Sequence, residues 1–200
     1  LYEPANGVAL GDVCQSMRLF NGKGYLVVNN SNKVVVVDPN TFTTTAVISG
    51  FNSPRHLLPV SNAKAYVTDL FANAITVVDL NNHTITGSIA CPGWTEELAL
   101  AYGKAFVTNQ TRDHVYVIET STDQLVDSIA VSRGGNSIVE DANGKLWVAC
   151  SGGGGTPAAL YRIDPAGLSV EATFPFPNTS GGPWRLVTDG TNNTLYFLNR

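Results

Sequence analysis

The chain has 200 residues, of which 44% are hydrophobic and 14% charged, with a formal net charge of −4. That length can bury a sizeable core, while the acidic balance excludes a dedicated nucleic-acid binder, which needs a basic surface to displace phosphate counterions. No apolar run approaches the roughly 20 residues a helix needs to cross a bilayer, and Asn, Ser, Thr and Gly stand where charge is thin, as in exported β-proteins rich in turns.

From the N-terminus, LYEPANGVAL lacks the basic and apolar regions of a signal peptide. An exported form would therefore already have lost its leader. A repeat follows. Aromatics sit inside strand-like runs at Tyr25 (GYLVVN), Tyr66 (AYVTD), Phe106 (AFVTN), Trp147 (LWVAC) and Tyr196 (LYFLN), at intervals of 41, 40, 41 and 49 residues. After each of the first four comes a run ending in an acid: VVVVDP to Asp38, ITVVDL to Asp79, VYVIET to Glu119 and LYRIDP to Asp164, at 13, 13, 13 and 17 residues from the aromatic. In the second repeat four strands can be written, HLLPV (A), KAYVTD (B), AITVVD (C) and TITGSIA (D). They are rich in Val, Ile, Thr and aromatics and bounded by Asn, Gly, Asp and Pro.

No sustained helical period competes with this pattern. A four-stranded antiparallel unit recurring every 40 or so residues predicts an all-β fold, a β-propeller, with a stacked solenoid of sheets as the rival. The blades fall at about 12–52, 53–95, 96–136 and 137–182, with strands A and B of a fifth at 183–200, all in one propeller domain over 1–200. A half-blade would leave a bare sheet edge, so the expectation is a fragment of a larger propeller.

Alternating strands send the A–B and C–D turns to one end of each blade and the B–C and D–A loops to the other. The first set (NGKG, SNAK, DANGK, DGTNN; DPNTFT, DLNNHT, ETSTDQ, DPAGLS) is short, uniform and polar. The second set (NNSNK, DLFAN, NQTRD, CSGGGGTPAA; SGFNSPR, CPGWTEE, VSRGGNS, PNTSGGPW) varies and holds both extensions of the fourth repeat. Variation confined to one end is what a binding face shows. Phe51, Arg55, Phe71, Trp94, Arg133 and Trp184 are the bulky groups there, and rigid aromatic area with fork-shaped donors suits a ligand site. Plugging gaps between blades is the alternative role for these residues. Asn29, Asp69 and Asn109 end successive B strands and are the remaining candidates, as polar ligand contacts or as a central metal cage.

Other chemistry is thin. Cys14, Cys91 and Cys150 form no CxxC pair and, being odd in number, no closed disulfide set, so each reads as a small buried hydrophobe. His56, His83 and His114 lie in different repeats without metal-ligand spacing. The tetraglycine 152–155 is not followed by Lys and Ser or Thr, which leaves a surface loop rather than a phosphate cradle. Glu96 and Glu97 are adjacent and point to opposite faces of a strand start, not to one substrate. Asp141 and Asp189 read as turn acceptors. The sequons at Asn82 and Asn109 arise from composition alone. No catalytic residues, metal or cofactor are expected.

AYVTD and AFVTN, each followed by a strand ending VVD or VIE, resemble the YVTN-type, YncE-like bacterial propellers. The stretch LGDVCQSMRLFNGKGYLVVNNSNKVVVVDPNTF, followed by SGFNSPRHL, looks more specifically like the BtuG-like surface lipoproteins of gut bacteria. That resemblance implies a seven-bladed, non-enzymatic propeller at the outer-membrane surface. It would capture vitamin B12 and related corrinoids and hand them to a TonB-dependent transporter. Two other classes stay open: a surface-layer or adhesion scaffold binding protein or glycan, and a propeller lactonase or dehydrogenase.

Overall fold

The computed structural model describes residues 1–176, 181–191 and 193–200. The D–A loop PNTSGGPW and the turn DGTNN therefore lie partly outside the described residues. The chain divides into two compact units, Leu1–Pro92 and Gly93–Arg200.

The first unit opens with a short helix, α1 (Tyr2–Asn6), and two four-stranded sheets. β1 (Cys14–Phe20), β2 (Lys23–Val28), β3 (Lys33–Val37) and β4 (Thr44–Ser49) form one sheet in sequence order. β5 (Pro54–Pro59), β6 (Lys64–Asp69), β7 (Ala74–Asp79) and β8 (Thr84–Ala90) form the next. In the second unit β9 (Thr95–Ala101), β10 (Lys104–Asn109), β11 (His114–Glu119) and β12 (Gln124–Ala130) make a third sheet. β13 (Gly135–Glu140), β14 (Leu146–Cys150), β15 (Ala159–Asp164) and β16 (Ser169–Pro175) make a fourth, and β17 (Pro183–Thr188) pairs with β18 (Leu195–Asn199). Every pairing is antiparallel.

The period-2 alternation of strands explains the core. Tyr25, Val27, Val34 and Val36 from one face of the first sheet meet Leu57, Ala65 and Val67 from the facing side of the second. In the second unit Phe106, Val115, Val117 and Ile129 meet Ile138, Leu146, Val148 and Ile163 in the same way. The repeated aromatic is thus an inter-sheet anchor at Tyr25 in the first unit and at Phe106 in the second, both buried. On the outer face of the first sheet, Tyr2 and Leu10 from the N-terminal segment cover Leu26, Val28, Val35 and Val37. Asn6 pins that segment, donating to Phe42 O and accepting from Thr44 N–H at 2.8 Å.

The acid that closes each C strand has a local cause. Asp38 Oδ1 accepts from Asn40 N–H and Asp79 Oδ1 from Asn81 N–H, each at 2.7 Å, and Asp164 Oδ2 accepts from Gly167 N–H at 3.0 Å. These Asx turns close the C–D hairpins through local backbone bonds, to which Lys145 adds an ion pair at Asp164. The A–B hairpins turn through Asn21-Gly22 and Tyr102-Gly103, both residues at positive φ, the geometry of a two-residue type I′ loop.

The cysteines are free. Cys91 and Cys150 are buried, and burial pushes both thiols up to about 12. Cys14 departs from the sequence expectation: it stands exposed at the start of β1, an edge strand of its sheet.

Candidate functional site

The two ends of each sheet differ in construction. At the B–C end every A–B pair carries a bulge, between Cys14 and Ser16, Pro54 and Leu57, Thr95 and Leu98, Gly135 and Ser137, and Trp184 and Val187. A bulge adds a residue to one strand and re-aims side chains beside it. The Thr of the VTD and VTN strings stabilises it. Thr68 Oγ1 accepts from His56 N–H at 3.0 Å, and Thr108 Oγ1 accepts from Glu97 N–H at 2.9 Å while donating to Glu97 O at 3.1 Å.

In the first unit the loops at this end are tied by the residues that end the B strands. Asp69 is fully buried; its Oδ2 accepts from Asn52 N–H (2.9 Å) and Ser53 N–H (2.7 Å), and its Oδ1 from Phe71 N–H (2.9 Å) and Ala72 N–H (3.1 Å). Asn29 Nδ2 donates to Ser53 Oγ and Pro54 O, both at 2.9 Å. Phe51, at 7% exposure, belongs to the inter-sheet core. Arg55 Nη1 donates to Gln15 Oε1 at 2.6 Å, both side chains arising from bulges, and the Gln15 amide nitrogen is buried without a partner. Phe71 is 55% exposed at the tip of its B–C loop.

In the second unit Asn109 is buried, and its Oδ1 accepts from Thr111 N–H (2.9 Å) and Arg112 N–H (3.0 Å). Its backbone lies so close to Gly135 that a Cβ there would stand 3.0 Å from Asn109 O. Glu96 is buried and accepts from Gln110 Nε2 at 2.6 Å, and Glu97 Oε2 accepts from Ile138 N–H at 3.1 Å. Both carboxylates thus bind neighbouring loops or strands. Trp94 is 44% exposed, with Trp94 O accepting from Gln110 N–H at 2.9 Å and Trp94 N–H donating to Thr111 Oγ1 at 3.1 Å. Arg133 is exposed; its N–H donates to Thr156 Oγ1 at 3.1 Å and its side chain lies against Gly154. Trp184 is the second residue of β17, and the Arg200 guanidinium sits 5.3 Å from the centre of its ring.

Of the nine residues read from the sequence, Trp94, Arg133 and Trp184 share the loop end of the second unit, and Arg55 and Phe71 stand at the loop end of the first. Phe51, Asn29, Asp69 and Asn109 are buried: Phe51 packs in the core, and the three polar side chains hold neighbouring loops by hydrogen bonds. Sequence reasoning missed Gln15 and Asn136, which bulges place at the loop ends of the first and second units, and Gln110, which follows β10. A Thr at the penultimate position marks the B strands β6 and β10, while β2 and β14 carry no such sign. Among the described residues no group of three or more His, Cys, Asp or Glu side chains is placed to hold a metal ion.

Successive four-stranded antiparallel blades of this kind define a β-propeller fold, and solved structures agree. Kuenenia stuttgartiensis hydrazine synthase matches with a TM-score of 0.79 at 17% identity, over 89% of this chain and 52% of its own. The WD40 β-propeller domain of Doa1 matches with 0.74 at 12%, over 91% and 59%. A functionally unknown protein from Desulfotomaculum acetoxidans DSM 771 matches with 0.73 at 14%, over 96% and 64%. The chain therefore spans less than two thirds of each. No curated protein matches the sequence. Residues 1–199 match the family described as "Domain of unknown function (DUF5074)", and the chain belongs to that family.

Proposed function

We propose that this chain is a non-enzymatic ligand-binding propeller of the bacterial cell surface, which captures a corrinoid for a TonB-dependent outer-membrane transporter. One observation carries the binding role. At the loop end of the second unit Trp94 and Arg133 stand exposed, whereas Glu119 and Asp164 at its turn end accept from backbone N–H groups of their own hairpins. A corrin is a broad, partly apolar disc fringed with amides, which indole faces and guanidinium or amide donors can hold. The choice of ligand, transporter and location rests on the sequence resemblance from Leu10 through Phe42.

Calorimetric titration of cyanocobalamin into the 200-residue chain tests the reading. Saturable heat at micromolar concentration that weakens in Trp94→Ala supports it. An absence of heat removes the corrinoid. Affinity capture from an outer-membrane extract tests the partner: recovery of a TonB-dependent transporter supports nutrient uptake, and recovery of matrix or glycan partners replaces it with adhesion.

A further inference from the structure

The charges of the second unit sort between its two ends. Its lysines stand at the turn end with carboxylates: Lys104 lies 3.6 Å from Glu119, and Lys145 lies 3.0 Å from Asp164 and 2.7 Å from Glu171. The loop end instead holds four exposed arginines, Arg112, Arg133, Arg185 and Arg200. Among the described residues none of the four has a carboxylate partner. The acids nearby are engaged elsewhere: Glu96 with Gln110, Glu97 with Ile138 N–H, and Asp113 at 3.4 Å from His114 Nδ1.

These arginines belong to one hydrogen-bonded belt with Gly134 at its hub. Gly134 N–H donates to Gln110 O at 3.1 Å, two residues before Arg112. Gly134 O accepts from Ser151 N–H and from Asn136 Nδ2, each at 3.0 Å, and Asn136 Oδ1 accepts from Arg185 N–H at 3.2 Å. Gly182, whose N–H donates to Arg200 O at 2.8 Å, lies close enough to Ser151 that a Cβ would meet it at 3.1 Å. Arg133 adjoins the hub and lies over the glycines. A Cβ on Gly154 would stand 2.6 Å from its Nη1, and Gly152 through Gly155 all have positive φ.

Four like charges at one end of the unit without a carboxylate partner among the described residues, on a chain of net charge −4, call for an external anion. The guanidinium fork matches an oxyanion by paired N–H bonds. We infer that the loop end of the second unit recognises the oxyanion of its ligand, a phosphate ester or carboxylate, through Arg133 with Arg185 and Arg200, beside the apolar area of Trp94. This deepens the binding role proposed above and rests on it. In a complete corrinoid the anion is the phosphodiester of the nucleotide loop; the other source is a free phosphate ester or carboxylate.

The test compares cyanocobalamin, dicyanocobinamide (which lacks the nucleotide loop) and pyrophosphate by calorimetry on the unaltered chain, Arg133→Gln and Gly154→Ala. Cyanocobalamin binding about tenfold tighter than dicyanocobinamide is expected, an advantage lost in Arg133→Gln. Gly154→Ala, which displaces the guanidinium and keeps its charge, is expected to reduce the same advantage. Equal affinity for the two corrinoids, unchanged by Arg133→Gln, overturns the anion site and leaves the corrinoid reading intact. If neither corrinoid binds, pyrophosphate binding that Arg133→Gln weakens keeps the anion site and removes the corrinoid. Silence from all three ligands overturns both.

Discussion

Replacing Asp69 with alanine probes the joint on which the loop end of the first unit depends. The carboxylate is fully buried and accepts four backbone N–H bonds, two from the D–A loop and two from its own B–C loop. A hydrogen bond to a charged group contributes about 1.5–3 kcal/mol net. Of the four donors only Ser53 belongs to a buried residue, while Asn52, Phe71 and Ala72 are exposed and can turn to water once the loops loosen. The expected loss for Asp69→Ala is therefore about 3–5 kcal/mol, not the sum of four full bonds. Asp69→Asn keeps an oxygen for Phe71 and Ala72 N–H, as Asn109 does for the next blade's loop, but turns an NH₂ toward two donors. Its expected cost is about 2 kcal/mol. Urea unfolding followed by circular dichroism measures both. Thiol labelling of buried Cys91, whose N–H donates to Asn73 O in the loop Asp69 holds, gives a local readout. An Asp69→Ala midpoint equal to that of the unaltered chain, with Cys91 still protected, would refute the reasoning.

The remaining predictions concern the thiols and the turn carboxylates. At pH 8 an alkylating reagent is expected to modify Cys14 alone in the folded chain and all three cysteines in denaturant, because burial holds the Cys91 and Cys150 thiols protonated near 12. Fast labelling of Cys150 in the native chain would contradict its burial. Asp79 is held below the ordinary carboxylate value by Asn81 N–H and the Asn82 side chain, and Asp164 by the Lys145 ammonium. A carboxyl with a depressed folded value adds stability above its unfolded value of 3.8 and loses it as pH falls through the folded value. Stability is thus expected to decline below about pH 4, less steeply in an Asp79→Asn, Asp164→Asn double variant. An identical acid limb in that variant, measured by thermal unfolding across pH, would exclude these turns as its source.

The fold was legible because its determinants are periodic. The aromatic at Tyr25 and at Phe106 faces the next sheet of its own unit, and the acid at Asp38, Asp79 and Asp164 caps its own turn, so spacing alone exposes the blades. The loop end was legible as a region, since Trp94 and Arg133 are residues no turn requires. Individual roles there were not. Phe51 falls in a loop as exposed Phe71 does, yet the backbone entering β5 turns it into the core. Asp69 and Asn109 look like ligand groups until the loop N–H donors surrounding them are seen. Gln15 and Asn136 were hidden for a different reason. Each sits in a strand bulge, and a bulge shifts by one residue the alternation from which side-chain direction is read.

Hydrogen exchange with and without saturating cyanocobalamin tests most directly whether ligand chemistry resides at the loop end. The account predicts slowed exchange at residues 93–94, 110–112, 131–134 and 151–156, with the C–D turns at 120–123 and 165–168 unchanged. Protection confined to those C–D turns, or none anywhere, would contradict it.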